Sequence, residues 1–312
     1  MKKIFLFLFF TINYNIYSQG IGHYNQYPTL HVDTYLDQLD NTISFAYSMR
    51  RLYSNYTGPI IKLRRKSDNI TKVFYAIDTD LVDINAITTW AAGSNLYVDT
   101  WYDQSGLNRN AIQTTITKQP QFYIDSVLPY FQGDGVDDFL VVSNSHLHDL
   151  TTNGKDGTVL LVAKATDRNQ NSFGISNGNY RWLSHLNWGN ERAYFDAGFY
   201  NTSVATNQRS FYNLSGINVF KQYSLISGSP NTIIMRQNTV EQLNTTTSSN
   251  NCNYNFSFFI SAASTSTSTN PDTATGNMYA TTGFNEFILY KTKIPENTYK
   301  TVEQIQMAFW GL

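Results

Sequence analysis

Short runs of strand-forming residues recur along the whole chain, and turn residues separate them. Residues 60–65 (IIKLRR) alternate between apolar and basic side chains, whereas residues 158–165 (TVLLVAKA) are apolar on both faces, as in a central strand. Residues 283–290 (GFNEFILY) form the last long run of this kind. The alternation of strands and helices that is typical of a parallel sheet does not appear. The pattern therefore predicts an all-β protein, an antiparallel β-sandwich of jelly-roll type.

A helix is expected at each end of this sandwich. Apolar residues spaced at i, i+4, i+7, i+8 and i+11 predict an amphipathic N-terminal helix that presents Phe45, Met49, Leu52, Tyr53 and Tyr56 on one face. Near the C-terminus we expect Asn297 to cap a closing helix, with Val302, Ile305 and Phe309 facing inward. The Ser- and Thr-rich residues 262–276 are interpreted as a long mobile loop.

The first residues have the pattern of an export signal. Lys2 and Lys3 precede an apolar run over residues 4–10, and Ser18 and Gln19 provide a cleavage point. The apolar run is much shorter than the roughly 20 residues that a membrane span needs, and no later stretch qualifies. We therefore predict a signal peptide over residues 1–18. The mature chain, residues 19–312, is expected to be a single domain without a membrane span, located in the periplasm or secreted.

Composition points to some partners and excludes others. The 22 basic and 23 acidic residues leave a net charge of −1, so there is no basic excess to bind a nucleic acid. Aromatic residues reach 15% and charged residues only 14%. Aromatic rings stack on sugar faces and amides hydrogen-bond hydroxyls, so we expect a polysaccharide or oligosaccharide partner and no cofactor. Cys252 is the only cysteine, which excludes an intrachain disulfide.

Two turns stand out because of their residue order. In residues 101–106 (WYDQSG) a strand is expected to end where Asp103 accepts bonds from amides ahead of it and Gly106 adopts a positive φ. Residues 133–140 (GDGVDDFL) combine three aspartates with glycines. Calcium is one interpretation of this acidic cluster, but the ligand pattern of a known calcium loop is missing. We therefore predict a structural turn and no metal site.

Four short sequence motifs in the N-terminal half occur in an order that resembles a known family. They are residues 46–52 (AYSMRRL), 56–59 (YTGP), 62–69 (KLRRKSDN) and 101–106. Together they resemble the N-terminal half of the α-L-arabinofuranosidase B catalytic domain, glycoside hydrolase family 54, over roughly residues 42–125. The family is a jelly-roll sandwich, which agrees with the strand pattern.

The second half is similar to concanavalin A-like and laminin G-like lectin domains. Residues 133–140 resemble a strand entry of those domains, residues 185–198 resemble their "HLPW…YFDFG" stretch, and residues 283–288 resemble a late strand. This resemblance implies a concanavalin A-like sandwich.

The resemblance to the arabinofuranosidases implies retaining hydrolysis of terminal arabinofuranosyl groups. Such hydrolysis uses two carboxyl groups about 5–5.5 Å apart, one as nucleophile and one as acid and base. Asp196, in residues 194–198 (YFDAG), would take the place of the family's nucleophilic glutamate. The family's acid follows a late strand, but residues 258–265 here contain no carboxylate. Asp272, further along, is the candidate for this role.

A non-catalytic glycan-binding protein is the second hypothesis. Its stacking faces would come from Trp182, His185, Trp188 and Tyr194, and Asn187 would supply an amide for sugar hydroxyls. A surface adhesion or scaffold module without a sugar ligand is the third. A second carboxylate within about 5–10 Å of Asp196 would favour hydrolysis, because that range covers both stereochemical modes.

Overall fold

The computed structural model describes residues 36–37, 42–126, 128–166, 170–199, 209–229, 231–246 and 251–312. The chain divides into two compact units, Met1–His31 and Val32–Leu312, and all described residues belong to the second. The predicted signal peptide lies outside the described residues. Among those residues, no helix is long and apolar enough to cross a membrane.

Strands dominate the described chain, which confirms the all-β prediction. The first half contains β1 (Ile43–Ser48), β2 (Ile61–Arg65), β3 (Thr71–Phe74), β4 (Leu96–Trp101), β5 (Ala111–Ile112), β6 (Gln121–Asp125), β7 (Leu128–Gln132), β8 (Leu140–His146), β9 (Gly157–Lys164) and β10 (Phe173–Asn177). The second half contains β11 (Tyr180–His185), β12 (Arg192–Phe199), β13 (Ser210–Asn213), β14 (Phe220–Gly228), β15 (Thr232–Gln237), β16 (Val240–Thr246), β17 (Ser257–Ile260), β18 (Ala263–Ser264), β19 (Gly276–Asn277) and β20 (Gly283–Tyr290). The helices are α1 (Ile84–Ala91), α2 (Leu147–Leu150) and α3 (Glu296–Trp310).

The strands pair into two layers that enclose an aromatic core. One layer runs in the order β1, β20, β9, β14, β15 and β16, and the other in the order β8, β17, β10, β11, β12 and β13. Phe287 of the first layer lies 4.9 Å from Phe173 and 6.3 Å from Phe258 of the second, measured between ring centroids. The two layers therefore bury their aromatic faces against each other, as a jelly-roll sandwich requires.

The predicted N-terminal helix is wrong, because its first residues form a strand. β1 pairs antiparallel with β20, and Tyr47 lies opposite Phe287. The ring of Tyr47 stacks on Phe45 at 4.6 Å and on Trp101 at 5.2 Å. Both faces of β1 are buried, so its apolar residues follow neither the helical period nor the two-residue period of a half-buried strand. A short apolar run of this kind fits a buried strand as well as a helix.

The closing helix is confirmed, although it begins earlier than predicted. α3 starts at Glu296 after Pro295, and Asn297 lies inside it rather than at its cap. The fixed φ of proline favours the start of a helix. Val302 and Ile305 are buried as expected, while Phe309 is half-buried beneath the guanidinium of Arg50 at 4.6 Å.

The Ser- and Thr-rich residues 262–276, predicted to be a long mobile loop, contain a short strand pair. β18 and β19 pair antiparallel within this stretch, and the amide of Thr265 donates to the carbonyl of Thr275 at 2.9 Å. Hydroxyls of Ser264 and Ser268 accept from nearby amides, which gives the backbone local partners. The stretch between β17 and β20 therefore contains a short antiparallel strand pair and local hydrogen bonds.

The turn after β4 forms as predicted and also joins β1 to β4. One oxygen of Asp103 accepts from the amides of Ala46 (2.9 Å) and Ser105 (3.0 Å), and the other accepts from the amide of Arg109 (3.1 Å). Gly106 has a φ of +85°, which residues other than glycine rarely adopt. The buried carboxylate therefore connects three segments of the chain.

Candidate functional site

The face of β11 and β12 that points away from the aromatic core carries most of the predicted site residues. Successive residues alternate between the two faces of a strand. His185 lies opposite Tyr194 in the sheet, and Leu183 lies opposite Asp196, so these residues share one face. We call His185, Asn187, Trp188, Tyr194 and Asp196, with Arg181 and Arg209, the outer cluster.

Asp196 lies between two guanidinium groups. Its Oδ2 is 2.9 Å from Nη2 of Arg209 and 3.7 Å from Nη1 of Arg181, and its Oδ1 accepts from Nε of Arg209 at 3.2 Å. The carboxylate side chain is only 3% exposed. Both arginines were missed in the sequence, because their proximity to Asp196 depends on the register of β11, β12 and the residues leading into β13.

Arg209 also holds the aromatic residues of the cluster in place. Its guanidinium lies 4.0 Å from the ring centroid of Tyr194 and 5.8 Å from that of Trp188. The hydroxyl of Tyr194 accepts from the side-chain amide of Asn190 at 2.7 Å. Tyr194 is buried, whereas Trp188 is half-buried. Trp188 is thus the aromatic residue of the outer cluster with ring surface open to a ligand.

His185 and Asn187 each present one buried acceptor atom that has no hydrogen-bond partner among the residues that the structure describes. Nδ1 of His185 donates to the carbonyl of Gln170 at 2.8 Å, and Nε2 has no partner. Asn187 donates from Nδ2 to the carbonyl of Thr166 at 3.3 Å, and its Oδ1 has no partner. An unsatisfied buried polar atom costs about 1–3 kcal/mol. Both atoms are closed to solvent, so a ligand hydroxyl reaches them only when the side chains that cover them move.

Burial makes His185 a neutral residue. Desolvation lowers its pKa to about 4, and the charge of Asp196 opposes this shift only in part. The imidazole is therefore uncharged at neutral pH, and Nε2 keeps its lone pair. The ring packs against Trp188 at 4.5 Å and against Tyr194 at 6.1 Å between centroids.

We expect this depressed pKa to make folding stability fall in mild acid. The unfolded chain binds a proton at an ordinary histidine pKa of about 6.5, whereas the folded chain resists protonation until about pH 4. The His185 contribution is thus present above pH 6.5 and is lost as the pH falls toward 4. Urea unfolding at pH 7, 5.5 and 4.5 should show a steeper loss for the wild type than for His185→Gln. Parallel curves would contradict this prediction.

Trp182 lies on the opposite face and does not join the cluster. Its side chain is fully buried, its Nε1 donates to the carbonyl of Lys155 at 3.0 Å, and its ring meets Phe195 edge-on at 5.3 Å. The ring therefore has no open face for a sugar, and Trp182 is removed from the candidate site. Its position inside the core follows from the strand alternation that sends His185 outward.

Asp272 is held elsewhere by threonines. It is exposed, and one of its oxygens accepts from the hydroxyls of Thr115 at 2.6 Å and Thr114 at 3.2 Å. The contacts described for Asp196 are with cations and those for Asp272 are with neutral hydroxyls. These contacts do not bring the two predicted catalytic carboxylates together.

The acidic residues 133–140 form the predicted structural turn. Oδ1 of Asp134 accepts from the amides of Val136 at 2.8 Å and Asp137 at 3.2 Å, and Gly135 has a φ of +78°. Asp138 in turn accepts from the amide of Asp134 at 3.1 Å. The carboxylates thus satisfy the backbone of their own turn.

Comparisons with known proteins identify the fold. No protein-family model and no curated protein matches the sequence. Among solved structures, a glycoside hydrolase family 54 α-L-arabinofuranosidase soaked with a cyclic sulfate inhibitor matches with a TM-score of 0.61 and 12% identity, over 86% of this chain and 63% of that chain. An arabinofuranosidase complexed with arabinofuranosyl-α-1,2-xylobiose matches with a TM-score of 0.57 and 13% identity, over 86% of this chain and 62% of that chain.

The chain therefore spans less than two thirds of the length of the arabinofuranosidase structures that it matches. At 12–13% identity the likeness concerns the fold. This structural similarity confirms the resemblance indicated by the four N-terminal motifs. The chain has the sandwich fold of the glycoside hydrolase family 54 arabinofuranosidases.

Proposed function

We propose that this chain is an exported carbohydrate-active protein that binds a glycan at the outer cluster. The observation that carries the proposal is the half-buried ring of Trp188, which packs against His185 beside two buried acceptors, Nε2 of His185 and Oδ1 of Asn187. A sugar face would stack on the indole, and its hydroxyls would donate to these acceptors once the side chains that cover them move. The arabinofuranosidase complex with arabinofuranosyl-α-1,2-xylobiose supports pentose-containing polysaccharides as the ligand class.

Binding fits the cluster better than hydrolysis does. A retaining nucleophile needs a second carboxyl group about 5–5.5 Å away, and an inverting pair needs about 6.5–9.5 Å. Asp196 instead contacts Arg181 and Arg209, and Asp272 contacts threonines. Asp196 is also one methylene shorter than the glutamate it would replace, which reduces its reach to an anomeric carbon. The two cations beside Asp196 balance its charge, and its side chain is only 3% exposed.

Binding is best tested by calorimetric titration of residues 19–312 with arabinofuranosyl-α-1,2-xylobiose. We expect Trp188→Ala to weaken the affinity of the outer cluster by about tenfold or more, because stacking and its water exclusion are lost. Trp90→Ala is the matched control, since Trp90 is also half-buried, but its ring meets Phe74 edge-on and lies under the guanidinium of Arg65. Equal affinities for the Trp188→Ala and Trp90→Ala proteins would contradict the proposed site.

Retaining hydrolysis is the second candidate function, favoured by the fold and by the position of Asp196 in residues 194–198. Release of p-nitrophenol from p-nitrophenyl α-L-arabinofuranoside tests it directly. Turnover that disappears in Asp196→Asn would show that hydrolysis depends on the Asp196 carboxylate, as a nucleophile at this position requires. Turnover that persists in this variant would support an enzyme with another nucleophile, and no turnover by folded protein would support binding alone.

A further inference from the structure

A cleft lies away from the outer cluster, where β4, β6 and β7 meet the turn of residues 133–138. It is a cleft of about 520 Å³, and its walls include Arg64, Tyr97, Gln121, Tyr123, Gln132 and Asp138. Clefts of roughly 300–1,000 Å³ are the usual size for small ligands. We call this the β4–β6 cleft, and it shares no lining residue with the outer cluster.

The buried arginine in this cleft organises the walls through three of its five N–H donors. Nε of Arg64 donates to Gln119 at 2.5 Å, Nη1 donates to Asn69 at 2.7 Å, and Nη2 donates to the carbonyl of Ile116 at 3.0 Å. Its guanidinium also lies 4.8 Å from the ring centroid of Tyr97. With its three nitrogens engaged, Arg64 fixes one tyrosine ring and the connection that follows β5.

Two half-buried tyrosines supply aromatic surface. The ring of Tyr123 stacks on Tyr130 at 5.3 Å with an interplanar angle of 18°, and Tyr97 packs under Arg64. Each ring is therefore held on one side by a neighbour. Rings that are oriented before binding lose little conformational entropy when a sugar face stacks on them.

Two amides in the cleft are available to a ligand. Gln121 and Gln132 are half-buried, and within the described part of the chain their side chains have no hydrogen-bond partner. Each side-chain amide offers two donor hydrogens and an acceptor oxygen, which together match the mixed character of a hydroxyl. The lining thus provides donors and acceptors next to aromatic surface.

The carboxyl group of Asp138 adds a neutral donor. Asp138 is only 6% exposed, and its Oδ2 accepts from the amide of Asp134 at 3.1 Å. Burial, followed by the charge of Asp134, raises the pKa of Asp138 to about 8. The group is therefore largely protonated at pH 7. With Asp138 neutral, the lining keeps the positive charges of Arg64 and Lys66 and the negative charge of Asp134, a net +1. The guanidinium of Arg64 already donates to neighbouring oxygens, so the groups left for a ligand are mainly amides and aromatic rings, which suit a neutral sugar.

We propose that the β4–β6 cleft is a second sugar-binding site, in which Tyr97 and Tyr123 stack on a neutral pentose unit and Gln121, Gln132 and Asp138 bond its hydroxyls. The choice of a pentose rests on the proposed function, whereas the location rests on the cleft itself. Two sites on one chain would increase the avidity for a polysaccharide beyond the affinity for a single short oligosaccharide.

Calorimetric titration with arabinofuranosyl-α-1,2-xylobiose distinguishes the two sites by stoichiometry. We expect two sites in the protein of residues 19–312 and one in Tyr123→Ala. The Trp188→Ala protein should keep the cleft site at full affinity. Tyr75→Ala is the matched control, because Tyr75 is an exposed tyrosine outside the cleft, and it should keep both sites.

The outcomes separate the two proposals. A single site that is weakened by Trp188→Ala and unaffected by Tyr123→Ala would overturn the cleft and leave the proposed function intact. A single site that is lost in Tyr123→Ala alone would support the cleft and overturn the outer cluster. Absence of binding by folded protein would overturn both.

A pH series in the Trp188→Ala background tests the role of Asp138. Its carboxyl group faces Asp134 and Asp137 of its own turn and the phenol of Tyr123, and Arg64, Lys66 and Lys118 lie on the elements around the cleft. Ionisation removes the donor, so the affinity of the cleft should fall as the pH rises from 7 to 9. Asp138→Asn keeps a neutral donor and should bind equally at both pH values. Identical pH profiles for the two proteins would overturn the donor role.

Discussion

Replacing Glu286 with glutamine is expected to lower the free energy of unfolding by about 3–5 kcal/mol, because it leaves a buried cation without its counter-charge. Both side chains of the Arg50–Glu286 ion pair are fully buried, and Nε of Arg50 lies 2.8 Å from Oε2 of Glu286. The same carboxylate accepts from Ser48 at 2.9 Å, Gln306 at 3.2 Å and Nε1 of Trp310 at 2.9 Å. It therefore joins β1, β20 and α3.

Guanidinium chloride unfolding at pH 7, followed by circular dichroism, measures this loss. Glu296→Gln is the matched control, since Glu296 forms an exposed i, i+4 pair with Lys300. Exposed pairs of this kind contribute little, so the control should unfold at the wild-type midpoint. A midpoint for Glu286→Gln that matches the control would show that Arg50 does not depend on this carboxylate.

Replacing Trp182 with alanine is expected to cost about 3–5 kcal/mol of folding stability, because it opens a cavity between the two layers. The indole contacts Phe195, Phe258 and Phe173, with ring centroids at 5.3, 5.9 and 6.4 Å. The carbonyl of Lys155 also loses its donor. Thermal unfolding and titration with arabinofuranosyl-α-1,2-xylobiose, measured on the same samples, separate stability from binding.

The contrast with Trp188 makes this prediction specific. Trp182→Phe fills much of the cavity and should fold with unchanged affinity for the sugar, whereas Trp188→Ala should keep most of its stability and lose affinity at the outer cluster. Weakened sugar binding by a folded Trp182→Phe protein would contradict the assignment of Trp182 to the core.

Local patterns in the sequence were sufficient for much of the fold. The apolar run at residues 158–165 became β9, which is central and buried on both faces, and residues 283–290 became β20 within the same bounds. β1 was misassigned because a strand that is buried on both faces does not alternate between apolar and polar side chains. Its pairing with β20 is a contact between distant parts of the chain, which spacing within residues 43–56 does not encode.

The candidate site was predictable only in part. Strand alternation correctly places Tyr194 and Asp196 together on one face, and His185 joins them through the register of β11 with β12. Of the arginines beside Asp196, Arg181 lies on β11 and Arg209 directly precedes β13, so their role depends on strand pairing that the sequence alone does not show. The sequence alone does not distinguish Trp182 from Trp188 as candidates for stacking on a sugar. In the structure β11 ends between them, so Trp182 lies in the strand and is buried, whereas Trp188 lies beyond the strand and is half-buried.

The pairing of β1 with β20 also determines when the fold can be completed. Ile43 lies opposite Tyr290, so the layer that contains β9 closes only after nearly the whole chain has been synthesised. Contacts of such large sequence separation slow folding, and until β20 arrives both β1 and β9 keep an unpaired edge. For a chain exported in an extended form, as residues 1–18 predict, this order delays the native state until the final strand has followed the rest across the membrane. The strand order would then set the time at which folding can finish. During that interval the unpaired strand edges would be available to chaperones.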